Sequence, residues 1–590
     1  MKGKFATILL VLAIPGLALT AAERKTKYAK AAKPAIDLNE GSGVTSSKPS
    51  QPANQIAGAP VLIGKTWNAY APQQPYTNLI AYDPISNLIA VIKRTDRTGA
   101  GSGRIVYQIS DDGGSNWSAQ IGPVNFAVSG TNLNAGRHPN ILLSNPTKAT
   151  DPLSNIVVFA YNDLTRNGNA FGEVVFGADP FTGDQTQFFS KGTDNTDSFG
   201  NAGATDLNTG DCYFSIAAVT ANPYDVIKIS NGGTTLGTPV NVVPDLIGTS
   251  GGGAAIDVGN NGTVYHVVRD TWTDAPNGDD STFAYRLNWS TDGGATWQGP
   301  EFVFPYAAAG FSASNYEFDM IVDGNNQVHI AALLVDTTAT PSPIDGSVVT
   351  LVDLVRTAPN TWSATSIARV RAQVFNTIPM DVGGALLQQL NEPEFAKTRQ
   401  GQDLALKFID VIANPVTPAD SVNPDIYVAG WRAGTGWGVV TNVSQSPGIA
   451  EGFSNLAGHM SDTGDLAMFY TTSSAGDLSE SNFWFLPANV VTGVAEKPVN
   501  IPDGFALEQN YPNPFNPSTT IKFSLTARVN VKLEVLNMLG QKLETLINRR
   551  MDAGTHEIQF APSQNLPSGV YFYRLEAGNN VTMKKMALMK

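Results

Sequence analysis

A short apolar strand, a polar turn and a second apolar strand recur seven times along this 590-residue chain. Two of the clearest copies read "AAIDVGNNGTVYHVV" and "FDMIVDGNNQVHIAALLV". The second strands start at Leu88, Ile156, Cys212, Val264, Val328, Leu404 and Leu466. They are nearly continuous apolar runs, as expected of strands covered on both faces. No helical apolar spacing interrupts them, and a strand-only repeat of this size predicts four-stranded blades around an axis. The expected body is therefore an all-β, seven-bladed β-propeller over residues 59–490, with six blades the alternative count. A more polar outer hairpin follows each inner one. The last unit has only "NFWFLPANVV" as an outer strand, so "PVLIGKTWNAY" near its other end is predicted to supply the fourth and close the ring. With 56 Gly, 36 Pro and only 15% charged residues, the composition suits such a turn-rich chain.

Within the outer hairpins, "SDDGGSNWS" and "STDGGATWQ" place Ser110, Asp112, Gly114 and Trp117, then Ser290, Asp292, Gly294 and Trp297, at matching offsets. The glycines admit positive φ, the Asp and Ser side chains can bond local amides, and the Trp is a large apolar plug. Weaker copies, "SNGGTTLG", "APNTWS" and "RAGTGWG", decay around the repeat while the turn persists. That pattern marks a folding device rather than a catalytic motif. The frame resembles the Asp-box of sialidase-like (BNR-repeat) propellers, where the box is a structural turn found in enzymes and in non-enzymes alike.

The two ends of the chain read as addresses. Lys2, Lys4, an apolar run from Phe5 to Leu19 and "LTAA" read as a secretory signal peptide over residues 1–22, with a flexible leader from 23 to 58. No later segment is apolar enough for a transmembrane span. Cys212 is the only cysteine, which excludes an internal disulfide and reads as a buried structural thiol. After a linker at 491–500, residues 501–590 alternate as half-buried strands, predicting a small β-sandwich. By composition alone it would suit any carbohydrate-binding or immunoglobulin-like accessory module. Yet the "YPNPFNPSTTI" stretch (Tyr511, Pro512, Asn513, Pro514, Phe515, Asn516, Pro517), "SGVYFYRL" with Gly569 and Tyr571, and the terminal "KKMALMK" with Lys584 and Lys585 resemble the type A C-terminal sorting domain of the type IX secretion system. The resemblance implies Sec export, passage across the outer membrane, and the secretion machinery and its sortase as partners. It implies a cell-surface-attached or released product.

The chemistry of the body is less marked. A formal net charge of -13 without a basic patch excludes nucleic acid and anionic membrane as natural partners. The turns "DVGNNG", "DLNTGD" and "DGNNQ" lack the Glu and flanking helices of an EF-hand, so no cofactor or metal is expected beyond an adventitious calcium. His138, His266, His329, His459 and His556 are scattered with no zinc spacing, and His266 and His329 read as structural histidines of inner strands. At the predicted channel mouth, Arg94, Arg137, Arg269, Tyr316, Glu317 and Asp319, with Asp96, are the candidates for a sialidase-like set. Such a set needs an arginine fork for a carboxylate, a Tyr–Glu nucleophile and an Asp acid. The early Arg-Ile-Pro signature of that family is absent, and "GRHPN" is a distant echo. The reading leaves catalysis open and favours a binding module for a glycan or a surface protein. An exo-acting glycosidase stands second and a purely structural or adhesive protein third.

Overall fold

The computed structural model describes residues 35–38, 58–67, 77–95, 104–125, 136–163, 173–181, 187–190, 198–218, 224–243, 253–272, 282–303, 311–336, 345–373, 375–379, 386–389, 391–411, 424–444, 451–473, 480–490, 506–525, 529–538, 541–551, 554–562, 566–577 and 580–589. The expected signal peptide, the linker and Asp96 lie outside them. The chain divides into two compact units, one reaching Gly493 and one formed mainly by Val494–Lys590.

The first unit is all-β. Its principal sheets number seven among the described residues, each built around strands consecutive in sequence and paired antiparallel, with one strand from earlier in the chain added to the fifth and one to the last. Their first strands are Ile80–Asp83, Gly136–Ser144, Ser198–Thr205, Ala254–Val258, Phe311–Val322, Glu394–Lys397 and Gly452–Leu456. Second strands begin at the apolar runs seen in the sequence, at Leu88, Ile156, Cys212, Val264 and Val328, and one residue before them at Asp403 and Asp465. Burial explains why these runs are so apolar. From Leu88 to Ile92 and from Val157 to Tyr161, hardly any surface reaches water. Each such side chain contributes about 1.5–3 kcal/mol by leaving water. Cys212 is fully buried in this layer beside Phe214, and burial pushes its thiol up to about 12.

The ring closes twice. Asn455 Oδ1, on the seventh sheet, accepts from Leu79 N at the first strand of the first sheet at 2.8 Å. Val61–Trp67 pairs antiparallel with Glu480–Asn489, so a strand from before the first sheet completes the last one. Two additions have no counterpart in the repeat. Ala35–Leu38, inside the expected leader, runs parallel to Thr361–Ala364 at the outer edge of the fifth sheet. Phe375–Pro379 and Leu386–Gln389 form a separate two-stranded ribbon between the fifth and sixth sheets.

The second unit holds two small sheets, one of three strands and one of four, sharing one apolar core that includes Phe523, Leu533, Val535, Tyr573, Leu575 and Met586. Alternation along Gly569–Ala577 is near-ideal, with buried Tyr571, Tyr573, Leu575 and Ala577 separated by half-buried neighbours.

Candidate functional site

The first strands of all seven sheets line one central cavity, through residues that include Ile80, Leu142, Ala204, Ile256, Met320, Phe395 and Leu456. It offers about 80 Å³ to the centres of water molecules. At roughly 10–15 Å³ as the minimum for one water, that is room for several waters. Toward the end where first strands finish, Lys397 Nζ reaches across to Asp257 Oδ2 at 2.7 Å and Val258 O at 2.8 Å. This buried ion pair ties the sixth sheet to the fourth.

The acids lie earlier along the first strands than that pair. Glu317 Oε2 accepts from Glu392 N at 2.9 Å, and Asp319 Oδ2 accepts from Phe395 N at 2.7 Å. One sheet further on, Glu392 Oε2 accepts from Ser454 N at 3.1 Å, and Glu394 Oε2 accepts from Leu456 N. Acceptors and donors climb together, so neighbouring first strands run in the same direction, stapled by carboxyl-to-backbone bonds. Lys407, its side chain fully unexposed, lies 3.2 Å from Glu394 and 3.8 Å from Glu392, and donates to Ser454 Oγ at 2.9 Å. Burial raises the acids above the carboxylate range, only partly offset by the amides and Lys407: Glu317 to about 7, Asp319 and Glu392 to about 8, and Glu394 upward.

The predicted mouth residues thus divide. Glu317 and Asp319 share a strand, and Asp319 lines the cavity. Arg94 and Arg269 are buried on second strands of the first and fourth sheets and are not among the residues lining the cavity. Arg137 and Tyr316 lie on first strands, and their side chains are outside the described residues. Glu392, Glu394 and Lys407 complete the cluster. A lysine inside the otherwise apolar run "LALKFI" is the signal that marks a buried partner.

The two histidines of inner strands take opposite states. His266 Nε2 meets Ser215 Oγ at 2.9 Å, and burial followed by the nearby Arg286 drives it down to about 3. His329 Nδ1 lies 2.9 Å from Asp353, which also accepts from Trp437 Nε1. Burial alone would lower His329, but Asp353 and Asp323 together carry it up to about 9. Among the described residues no group of three or more His, Cys, Asp and Glu side chains is arranged to hold a metal.

Away from the axis, the two Ser-Asp-Gly-Trp turns share one set of bonds. Ser110 Oγ donates to Asp112 Oδ1 at 2.9 Å and accepts from Gly114 N, while Trp117 Nε1 donates to Gly114 O. Ser290, Asp292, Gly294 and Trp297 repeat these bonds. Each turn plugs into the preceding sheet. Trp117 meets Phe485 edge-on at 5.3 Å, and Trp297 meets His266 at 6.2 Å beside the third-sheet core. Gly114 has φ +87, and a Cβ there would run into the Phe485 ring.

In the second unit, the Pro-rich stretch seats against the last strand. Phe515 is buried and its N–H donates to Ala587 O at 2.8 Å, while Asn513 Oδ1 accepts from Ala587 N at 2.8 Å. Tyr573 OH accepts from Asn510 N at 2.9 Å and donates to Glu508 O at 2.6 Å. Tyr571 OH donates to Pro567 O at 2.8 Å. Tyr511 is left 82% exposed. Residues 509–589 match the family described as the secretion system C-terminal sorting domain. The tail is a secretion sorting domain. It places the protein in the type IX secretion route, at the cell surface or outside the cell. Among the described residues no helix is long and apolar enough to cross a membrane.

No curated protein matches the chain. Among solved structures, an ulvan lyase from a polysaccharide lyase family shares 11% identity at TM-score 0.44, covering 73% of this chain and 96% of its own. A Penicillium chrysogenum α-L-arabinanase complexed with arabinobiose shares 10% at TM-score 0.36, covering 66% and 99%. A Trypanosoma rangeli sialidase mutant displaying trans-sialidase activity shares 11% at TM-score 0.35, covering 94% and 90%.

Proposed function

We propose that this chain is a seven-bladed β-propeller with a sandwich-like sorting domain, exported to bind a glycan or a surface protein outside the cell. In this reading the seven sheets are the blades and the two Ser-Asp-Gly-Trp turns are structural Asp-boxes. One observation carries binding ahead of catalysis. The acids best placed for acid–base work, Glu317, Asp319, Glu392 and Glu394, each accept a backbone N–H from the next sheet. Groups so engaged hold blades together, which favours a ligand that meets the rim of the ring rather than its channel.

A second reading rests on Glu317, held by burial up to about 7 and so able to deliver a proton near neutrality, as the acid of an exo-acting glycosidase would. The test sets the secreted chain against a panel of fluorogenic glycosides, a sialoside included, and against a glycan array. Binding without turnover supports the proposal. Turnover abolished in a folded Glu317→Gln variant overturns it in favour of the enzyme. Neither binding nor turnover, with no surface protein captured by crosslinking on intact cells, leaves the structural role.

A further inference from the structure

Among the described residues, one joint of the ring concentrates acid around a single base. The fifth sheet contributes Glu317 and Asp319, and the sixth contributes Glu392, Glu394 and, on its second strand directly opposite Glu394, Lys407. The seventh sheet offers Ser454 there, and Asn455, whose Nδ2 donates to Glu394 Oε1 at 3.0 Å; its buried Glu451 lies just before the same strand, toward Tyr427 and Tyr470. The fourth sheet's Asp257 faces the same line of strands but is matched by Lys397 at 2.7 Å. Among the described residues, four acids therefore share this joint with one ammonium; Glu317, Glu392, Glu394 and Lys407 are buried, and Asp319 is half-buried at the cavity wall. Full ionisation would leave uncompensated negative charge in a low-dielectric joint, which is among the most costly arrangements a fold can hold. Retained protons remove that excess without breaking the staples, because a carboxylic acid still accepts through its carbonyl oxygen.

We propose that this joint is a proton-held latch: protons shared by Glu317, Asp319, Glu392 and Glu394 around Lys407 keep the fifth, sixth and seventh sheets shut, and their loss loosens the ring at that end. The latch depends on the ring and not on the identity of any ligand. Whatever docks at the rim there meets a tighter ring in mild acid and a looser one in alkali.

The sign follows from the direction of the shifts. These acids sit above their unfolded values, so their contribution is full below about pH 4.5 and is lost as pH rises through about 7 to 8. His329, raised to about 9, adds a slope of the same sign above pH 6.5. It does so equally in any variant that leaves it alone, so a comparison of slopes removes it. The variant is Glu317→Gln with Glu392→Gln, which keeps an accepting oxygen at both positions and deletes both titrations. Between pH 6.5 and 9 the melting temperature of the full secreted chain should fall by about 4 °C through the latch acids, and the double variant should lose roughly half of that drop. Infrared spectra of the wild type in heavy water provide the second readout. A protonated-carboxyl band should be present near pH 6 and fade by pH 9. A double variant with the wild-type slope, or a wild type without that band near pH 6, overturns the latch. If the double variant does not fold, the band decides alone.

Discussion

The two ends of the ring hold neighbouring sheets together by different chemistry. Where first strands finish, the Lys397–Asp257 pair is joined by a set of neutral ties. Asn208 Nδ2 donates to Asn260 O at 3.2 Å, Asn260 Nδ2 donates to Gln400 O at 2.9 Å, and Asn326 Oδ1 accepts from Asn261 N at 3.1 Å. Gly324 N also donates to Gly401 O at 2.8 Å, an approach so close that a Cβ on either glycine would strike the other turn. Earlier along the first strands, the same service is done by carboxyls around Lys407. Neutral ties are individually weak and indifferent to pH. Charged ones are stronger but bind the fold to a proton count. Neutral amide ties thus predominate at one level of the ring, and buried carboxyls around one lysine at the other.

Removing the shared cation should produce the largest difference between the ends. Lys407→Met leaves the acids without their partner, and the expected loss is about 3–5 kcal/mol above pH 8, where they would have to ionise. Near pH 5 the acids are protonated and the loss should shrink. Urea unfolding at the two pH values measures it. Equal losses at both would show that Lys407 acts by packing alone.

Lys93 sharpens the same contrast at the joint between the first and seventh sheets. Its Nζ meets no acceptor among the described residues and sits 5.6 Å from the centre of the Phe483 ring, with Gly64 leaving it space. Desolvation lowers it to about 8 from 10.5, a penalty of about 3 kcal/mol near pH 7. A folded value below the unfolded one means that stability rises with pH between about 8 and 10.5. Lys93→Met should therefore stabilise the ring by about 2–3 kcal/mol at neutral pH and abolish that rise. A destabilised variant would show that the amine has a partner after all.

Among the neutral ties, Asn260→Ala removes the carboxamide donor that reaches Gln400 O and should cost about 1 kcal/mol, the same at pH 5 and pH 9. A pH-dependent loss would erase the distinction between the two ends.

What the sequence discloses follows the same division. Local patterns carry the second strands, because burial on both faces selects unbroken apolar runs such as "VVFAY" and "VHIAALLV". The closing strand Val61–Trp67 is legible because the last repeat lacks an outer partner. The tail is legible because its motifs, in order from "YPNPFNPSTTI" to "KKMALMK", resemble a sorting domain, and because its prolines must lie at an edge. The latch is not legible in this way. Glu317 acts on a backbone amide 75 residues away, and Glu392 on one 62 residues away, so no window of sequence holds both partners. Loop charges such as Glu317 and Asp319 look like ligands for a substrate until the neighbouring strand is in place. Lys407 gave the one available hint, a charge where the repeat calls for an apolar side chain.

The smallest effect belongs to the turns at the rim, and it runs opposite to the latch. Asp292 stands in water and accepts from Thr296 Oγ1 at 2.5 Å, from Thr296 N at 2.8 Å and from Ser290 Oγ at 2.7 Å. Those bonds, led by the Thr296 hydroxyl, hold its carboxyl down at about 2 against an ordinary 3.8. A depressed value contributes stability that is present above about pH 3.8 and is lost as pH falls through about 2. Asp292→Asn should therefore match the wild type in melting temperature only at the acid extreme and fall slightly below it from pH 4 upward, with no change between pH 6 and 9. Asp112, lowered first by the Asn116 backbone N–H, should behave alike. Melting curves of Asp292→Asn across both ranges separate turn from latch: acid sensitivity at the rim, alkaline sensitivity at the mouth. A slope change in the Asp292 variant above pH 6 would mean that rim and mouth are coupled through the sheets, and that the difference between the two levels is not local.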